Sequence, residues 1–494
     1  MNLKQQNFKK MLLDTSLFRK AYIILITTEM LAFLDIPSLA LKSIVLIWGF
    51  FVLVHNFFLE KLAFKVRHGY LLWSFLALMV ITSVVHMSIW FVPNLVITYF
   101  TAVCFFIFYG GYTEKNHEKT EKEMNFILKF FVNFALIFGL GSLASLFFGQ
   151  NLVVLGYNLG VYKDRLIGVY TNSNILAFSM IEGIVSCDIL YNDYMKTKFK
   201  SSSISNWKLI LCLFVSFVCL FLSDSNASFV FIVIYATIRV FCNLFFRSGS
   251  QSTAQLFKSI LLTFCFCILM MSGSFYLRNC CQNFMNTLIT DAYKYEDSLA
   301  KKAEPEAEAQ IPEKETVLVV ENKNDSSEPA AASNEEEIHI GRQNYEVSSG
   351  RIALFKQGII IFKHHPWIGI GRANLNLYAK KYIEGGLRHP DLHNGYLTIL
   401  VSTGIIGFAI FALFSLLVSL DICRYLFIFV NKNCFGIFCK FFSALVAYCG
   451  YCLFEKAILF DMTFMVGFFW LILGYAVSYI QNKKTEKFKG ANNI

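Results

Sequence analysis

Long apolar runs, separated by short polar segments, account for most of the chain. A helix that spans a bilayer needs roughly 17–25 predominantly apolar residues, and twelve runs come close to this length or reach it. The pattern predicts an all-α, polytopic integral membrane protein of about twelve transmembrane helices. The predicted spans are 19–36, 39–59, 69–87, 92–112, 125–148, 170–191, 207–222, 226–246, 258–276, 395–420, 436–455 and 460–480.

The positive charges indicate how these helices are oriented. Lys and Arg cluster before the first predicted span, after the twelfth, and in alternate loops between them. Because cytoplasmic loops carry an excess of Lys and Arg, we expect both termini to be cytoplasmic. Two loops then lie outside, 149–169 and 277–394. The chain divides into residues 1–276 with nine helices, the outer loop 277–394 with short interfacial helices, and residues 395–494 with three helices and a cytoplasmic tail.

Residues 296–337, inside the larger outer loop, differ from the rest of the chain. They contain thirteen Asp or Glu residues and four Lys. A segment of this composition buries too little apolar surface to offset the cost of ordering it. We therefore predict a disordered, solvated insertion.

Composition excludes a soluble protein and narrows the chemistry. Hydrophobic residues make up 56% of the chain and charged residues 16%, whereas soluble domains average roughly 25% charged. Most of the Cys residues lie in apolar runs, where a thiol behaves as a small hydrophobe. The CxxC pair Cys449 and Cys452 lies in an apolar run without the βαβ context of a redox motif. No His/Cys spacing is typical of a zinc site.

The polar stretch 351–394 is the main candidate for chemistry. Arg351 opens a run in which residues 352, 355, 359 and 362 share one helical face, which predicts a helix lying in the membrane interface. Attraction of Arg351 and the nearby lysines to anionic headgroups is an alternative explanation of these charges. Pro366 ends the helix. Gly369 and Gly371 then favour a tight turn or a close backbone approach.

Basic residues follow this turn: Arg372, Arg388 and, next to Asn394, His393. His titrates near neutral pH and suits general acid or base catalysis. The planar fork of Arg matches two phosphate oxygens. Such residues at one membrane face favour a phosphate-bearing, lipid-linked substrate, although a His at a membrane interface is more often structural.

The smaller outer loop contributes Arg165 and, nine residues later, Asn174. A cation at the hydrocarbon edge either snorkels to the interface or binds something. The polar residues Thr171, Asn172 and Asn174 also suit a simple helix cap.

These groups together resemble the O-antigen ligase/polymerase family of bacterial membrane glycosyltransferases. The resemblance covers roughly residues 130–420. The matching pieces are Arg165-Leu-Ile-Gly, Asn172-Ser-Asn174, Gly350-Arg351, His365-Pro-Trp-Ile-Gly-Ile-Gly, His393-Asn394-Gly-Tyr-Leu and Gly404-Ile-Ile-Gly407.

The resemblance implies transfer of a glycan from an undecaprenyl-pyrophosphate carrier to an acceptor hydroxyl outside the bacterial cytoplasmic membrane. It implies no metal, cofactor or nucleotide sugar. It gives His393 the activation of the acceptor, and Arg165 and Arg351 the binding of the pyrophosphate. Further candidates for substrate binding are Asn174, Arg372, Arg388 and Asn394.

One segment departs from the family pattern. Family members often carry Ser-Arg at the outer start of the eighth helix, where this chain has Asp224-Ser225-Asn226-Ala227. A third cation is therefore missing, or is supplied from elsewhere, for which Arg372 and Arg388 are the candidates.

The sequence leaves the exact activity open. A polysaccharide polymerase and a ligase that uses a glycan, lipid or cell-wall acceptor both fit, with other polysaccharide-assembly proteins as possible partners and no nucleic acid. A flippase for lipid-linked oligosaccharides is the alternative, but it is expected to place charges inside helices that line a cavity. A non-catalytic scaffold gives no reason for two arginines to accompany His393. The enzyme interpretation predicts that Arg165, Arg351 and His393 meet at one outward-facing cavity.

Overall fold

A computed structural model describes residues 11–112, 117–148, 152–154, 157–162, 165–192, 195, 204–246, 252–303, 351–387, 389–428 and 435–491. Within them lie fourteen α-helices and three short strands. The helices are α1 Thr15–Thr28, α2 Asp35–Val54, α3 Gly69–Val85, α4 Phe91–Val103, α5 His117–Ala144, α6 Ser173–Leu190, α7 Asn206–Leu222, α8 Asn226–Phe246, α9 Thr253–Ala303, α10 Arg351–His364, α11 Leu375–Tyr382, α12 Gly395–Ile428, α13 Phe435–Tyr451 and α14 Phe464–Ala491. The strands are β1 Leu152–Val154, β2 Tyr157–Tyr162 and β3 Arg165–Gly168.

The protein is a polytopic helical membrane protein, as predicted, but the predicted count of twelve spans is not confirmed. Among the described residues, seven helices are long and apolar enough to cross a bilayer. Four further apolar helices are shorter, at 10–17 residues: Leu41–Val54, Gly69–Val85, Asn206–Leu222 and Phe435–Tyr451. A continuous apolar run in the sequence therefore does not always fold as one full-length helix.

The helices differ in how deeply they lie in the bundle. Most residues of α6 and of the apolar part of α14 are buried. The long helix α9 packs against α7 and α8 and leaves most of its apolar side chains exposed. Exposed apolar side chains on a spanning helix suit contact with lipid, so α9 lies at the periphery of the bundle.

The described residues between α5 and α6 include a three-stranded sheet that the all-α prediction did not include. Strands β1, β2 and β3 pair in order and antiparallel. Their sequences are rich in Val, Leu and Tyr, and β-branched and aromatic residues favour pleated structure. Gly168 ends β3 with φ of +65°, and a Cβ there would lie 2.1 Å from Oγ of Ser142 on α5. The glycine lets β3, which begins at Arg165, pack directly on the bundle.

The helix α10 packs on the protein through residues that lie outside its predicted apolar face of 352, 355, 359 and 362. Its buried positions are Leu354, Gly358 and Ile361, while Ile352 and Ile359 are exposed. The reason is steric, because a Cβ on Gly358 would lie 2.8 Å from Leu397 of α12. The small residue therefore marks the protein-facing side and leaves the isoleucines available to the membrane.

The predicted disordered insertion 296–337 falls mostly outside the described residues. Its first eight residues, 296–303, are helical and extend α9 to Ala303. The reason is local, since Ala, Leu and Lys are strong helix formers. The helix thus continues well beyond the predicted ninth span, 258–276.

Two glycines let the turn after α10 pack against a break in α12. Gly369 and Gly404 both have left-handed backbones, with φ of +68° and +65°. A Cβ on Gly404 would lie 2.2 Å from the carbonyl oxygen of Trp367. The amides of Ile405 and Ile406 instead donate hydrogen bonds to the carbonyls of this turn. This is the close backbone approach that the glycine spacing predicts.

Replacing Gly404 with Ala is expected to destabilise the protein, because the left-handed backbone and the clash with Trp367 both oppose a side chain. The cost is of order 1–3 kcal/mol, measured as a lower thermal unfolding temperature in detergent. Gly273 is the matched control, because it lies inside α9 with no heavy atom within 4 Å of an added Cβ. Gly273→Ala is expected to keep or slightly raise stability. A Gly404→Ala protein as stable as wild type would contradict the steric explanation.

Candidate functional site

One buried carboxylate joins two of the sequence-predicted residues. Glu455 lies just after α13 with only 11% of its side chain exposed. Its Oε1 accepts a hydrogen bond from Nη2 of Arg351 at 2.8 Å, and its Oε2 lies 3.0 Å from Nδ1 of His393. The structure therefore brings Arg351 and His393 together on a residue that the sequence analysis did not single out.

This contact fixes the chemistry of the histidine ring. An ionised carboxylate only accepts hydrogen bonds, so His393 carries a proton on Nδ1 when it binds Glu455. In the neutral ring, Nε2 is then the free base nitrogen. Nε2 lies 3.0 Å from Nδ1 of His389, so the ring nitrogen opposite Glu455 already has a hydrogen-bonding partner in the resting state.

His389 is suited to give up that position to a substrate. Most of its side chain is exposed. Burial of the remainder, together with the neighbouring His393, lowers its pKa below the usual value for histidine. A neutral ring donates one weak hydrogen bond and is easily displaced. Displacement of His389 would leave Nε2 of His393 as a hydrogen-bond acceptor.

The backbone around His393 is fixed by the start of α12. His393 has φ of +46°, a left-handed conformation that is uncommon outside glycine. Asn394 caps the helix, because its Oδ1 accepts a hydrogen bond from the Leu397 amide at 2.8 Å. Its Nδ2 donates to the carbonyl of Leu453 at 3.0 Å, and the Gly395 amide donates to Cys452. These bonds attach the His393 loop to the segment that carries Glu455.

An ion cluster strengthens the same attachment. Asp391 pairs with Arg372, at 3.3 Å between Oδ1 and Nη2, and with Lys456, the residue after Glu455. Burial opposes ionisation of Asp391, but the two cations outweigh it and hold the pKa of the carboxyl below its usual value. Arg372 is therefore tied to the loop of His393 by an ion pair.

Arg165 lies in a second cluster. Its Nε donates to the carbonyl of Ser223 at 2.9 Å, and its Nη2 donates to Oδ1 of Asn174 at 2.9 Å. Asn172, rather than Asn174, caps α6 by accepting from the Ile175 amide. Asn174 thus binds Arg165, and the helix cap predicted for this segment is formed by Asn172.

Packed rings connect the two clusters. Phe178, one turn after Asn174 on α6, lies 5.0 Å from Tyr451 between ring centroids. Tyr451 ends α13, four residues before Glu455. Both clusters therefore lie at the same end of the bundle, where α6 begins and α13 ends. Arg351 and His393 share a direct partner, whereas Arg165 connects to them through this packing. Arg388 lies outside the described residues.

The residues that the sequence analysis missed carry one recognisable signal. Glu455 and Lys456 are the only charged residues between 441 and 460. A charged pair at the end of a spanning helix is costly unless it is paired with other groups. Their partners are distant in the chain, so the pair signals a site without revealing its composition.

Comparison with known proteins supports the resemblance. Residues 211–412 match a family described as O-antigen ligase. The match includes Arg351, Arg372, Arg388, His393 and Asn394; Arg165, Asn174 and Glu455 lie outside it. No curated protein and no solved structure matches the chain.

Replacing Asp391 with Asn is expected to reduce stability at neutral pH, because Arg372 and Lys456 lose their shared anion. Lys456 keeps its second ion pair, with Asp461 at 2.7 Å, whereas the mostly buried Arg372 loses its anion. Removing one partner of a buried ion pair costs about 3–5 kcal/mol. The pKa of Asp391 is lowered in the folded state, so its contribution is present above the unfolded value of roughly 4. That contribution is lost as the pH falls below this value.

Thermal unfolding in detergent between pH 7 and pH 3 tests this expectation. Asp391→Asn should unfold at a lower temperature at pH 7 and approach wild type at acidic pH. Glu118→Gln is the control, since it breaks an exposed pair with Lys122 that contributes little. Equal stability of Asp391→Asn and wild type at pH 7 would contradict the role of this ion cluster.

Proposed function

We propose that this chain, whose residues 211–412 match a family described as O-antigen ligase, is a membrane glycosyltransferase of cell-envelope polysaccharide assembly. It transfers a glycan from an undecaprenyl-pyrophosphate carrier to an acceptor hydroxyl at the outer face of the bacterial cytoplasmic membrane. The observation that carries the proposal is the contact of Glu455 with both Arg351 and His393. It combines a phosphate-binding cation and a general base in one place.

The proposed reaction is a direct displacement. Nε2 of His393 accepts the proton of the acceptor hydroxyl as its oxygen bonds to the anomeric carbon of the donor sugar. The bond from that carbon to the pyrophosphate oxygen breaks, and undecaprenyl pyrophosphate leaves. Glu455 holds the ring in orientation and stabilises the imidazolium that forms. The proton then passes from Nε2 to water, which restores the base.

The arginines act on the leaving group. Charge grows on the pyrophosphate as the bond breaks, and fixed cations stabilise it most effectively in a water-poor site. Arg351 uses one guanidinium nitrogen for Glu455 and offers its other donors to phosphate oxygens. Arg165 approaches from the other cluster at the same end of the bundle. The convergence of both arginines on one pyrophosphate is part of the proposal.

Polymerase and ligase activities both follow from this chemistry, because they differ only in the acceptor. A polymerase adds lipid-linked repeat units to one another, and a ligase passes the finished glycan to a lipid, protein or wall acceptor. We favour the polymerase of a surface or capsular polysaccharide. Its partners would be the lipid bilayer and other polysaccharide-assembly proteins. A flippase is disfavoured because Arg165 and Arg351 lie at the start of β3 and of α10 rather than inside a membrane-spanning helix.

Replacing His393 with Ala is expected to lower the rate of glycan transfer by about 100- to 10,000-fold, since general-base catalysis contributes this much. The assay follows polysaccharide chain length on gels, with purified protein and the lipid-linked donor. His364→Ala is the control, because this ring stacks on Tyr382 in a different cluster. In cells, repeat units accumulating on the outer leaflet support the enzyme, and accumulation on the inner leaflet would support a flippase instead.

Replacing Glu455 with Gln is expected to lower kcat more than it raises KM, because the ring loses its charged partner while the binding surface persists. A hydrogen bond to a charged group contributes about 1.5–3 kcal/mol, or roughly 10- to 100-fold in rate. Glu455→Asp, which keeps the charge, should recover part of the loss. Full activity of Glu455→Gln would exclude the proposed role in orienting His393.

A further inference from the structure

The position where the sequence lacks an expected cation is occupied by an arginine from another helix. Arg278, at the middle of α9, forms an ion pair with Asp224 in the turn between α7 and α8. Its Nη1 donates to Oδ1 of Asn226 at 2.5 Å, and its guanidinium lies 5.8 Å from the centroid of the Phe229 ring. The helix α9 thus delivers a guanidinium to the start of α8.

The same turn anchors Arg165. Nε of Arg165 donates to the carbonyl of Ser223, the residue before Asp224. Consecutive Cα atoms are about 3.8 Å apart, so two guanidinium groups are held at neighbouring residues of the 223–226 turn. One arrives from β3 and the other from α9, and neither approach is visible in the order of the sequence.

Asp224 is the anion that pairs with Arg278. Its side chain is 6% exposed and that of Arg278 is 14% exposed. Its Oδ2 accepts a hydrogen bond from Nε2 of Gln282 at 3.2 Å, and its backbone is left-handed with φ of +50°. The turn therefore holds an arginine–carboxylate pair, Arg278 with Asp224, next to the residue whose carbonyl binds Arg165.

We propose that Arg278 is a second pyrophosphate-binding arginine beside Arg165, and that Asp224 is a built-in competing anion that releases Arg278 when the donor binds. The inference rests on the proposed function, because it assigns these residues to the donor pyrophosphate. The competition also serves product release. The leaving pyrophosphate has one more ionisable oxygen than the donor and binds two arginines more tightly, so Asp224 helps to displace it.

The alternative is a structural ion pair that only attaches α9 to the turn. The two explanations differ in whether two substitutions tighten or weaken binding of undecaprenyl pyrophosphate. The experiment measures binding of undecaprenyl pyrophosphate to the purified full-length protein in detergent, with undecaprenol as the ligand without phosphate. Arg278→Gln is expected to weaken binding roughly tenfold or more through loss of charged hydrogen bonds. Asp224→Asn is expected to tighten it, and to lower both KM and kcat as product is retained. A structural pair predicts weaker binding from both changes.

Controls keep the outcome clear. Arg67→Gln breaks a comparable, partly buried pair with Asp421 near the opposite end of α12 and should leave binding unchanged. If Arg278→Gln does not fold, the direction of the Asp224→Asn effect alone decides between the explanations. Weaker binding by Asp224→Asn, or unchanged binding by a folded Arg278→Gln, would overturn the inference.

Failure of the proposed function gives a different result. If wild type binds undecaprenyl pyrophosphate no better than undecaprenol, both proposals are wrong. If wild type binds it, Arg165→Gln weakens binding and Arg278→Gln does not, then the proposed function stands and only the role of Arg278 is rejected.

Discussion

The site depends on the sharing of one buried carboxylate, Glu455, by Arg351 and His393. Each partner alone is a poor group to place at the edge of a bilayer, because a cation there needs an anion and a ring needs a fixed tautomer to act as a base. The two Glu455 oxygens serve both needs at once. The proposed roles in pyrophosphate binding and proton transfer are therefore coupled through one residue.

The surrounding contacts keep this arrangement rigid. His393 adopts a left-handed backbone, and such conformations persist only where the surroundings over-determine them. Three contacts hold the His393 backbone in this conformation: the helix cap by Asn394, the backbone hydrogen bond from Gly395, and the ion cluster around Asp391. Rigid placement is what a general base requires, because a small misplacement of the reacting atoms costs much of the rate.

Cations approach this end of the bundle from several distant parts of the chain. Arg165 comes from the strand β3, Arg278 from the middle of α9, and Arg351 from the start of α10. Apolar helices supply no hydrogen-bonding groups of their own to a charged substrate. The polar chemistry is therefore carried by a strand, by a helix start and by one arginine in the middle of α9, and the bundle determines where these meet.

The sequence by itself determined the class of protein and most of its candidate residues. Long apolar runs predict a helical membrane protein because lipid offers no hydrogen bonds to an open backbone. Arg351 stands out as a cation and His393 as an imidazole ring in a polar stretch, and Gly369 indicates a turn. These are local properties, encoded within a few residues of each position.

Only the tertiary structure decided which groups are partners. Glu455 lies 104 residues from Arg351 and 62 from His393, and Arg278 lies 54 residues beyond Asp224. No local pattern encodes such pairings. The protein-facing side of α10 was likewise set by packing at Gly358. Helix packing creates these contacts, because it brings the ends of distant segments to the same place.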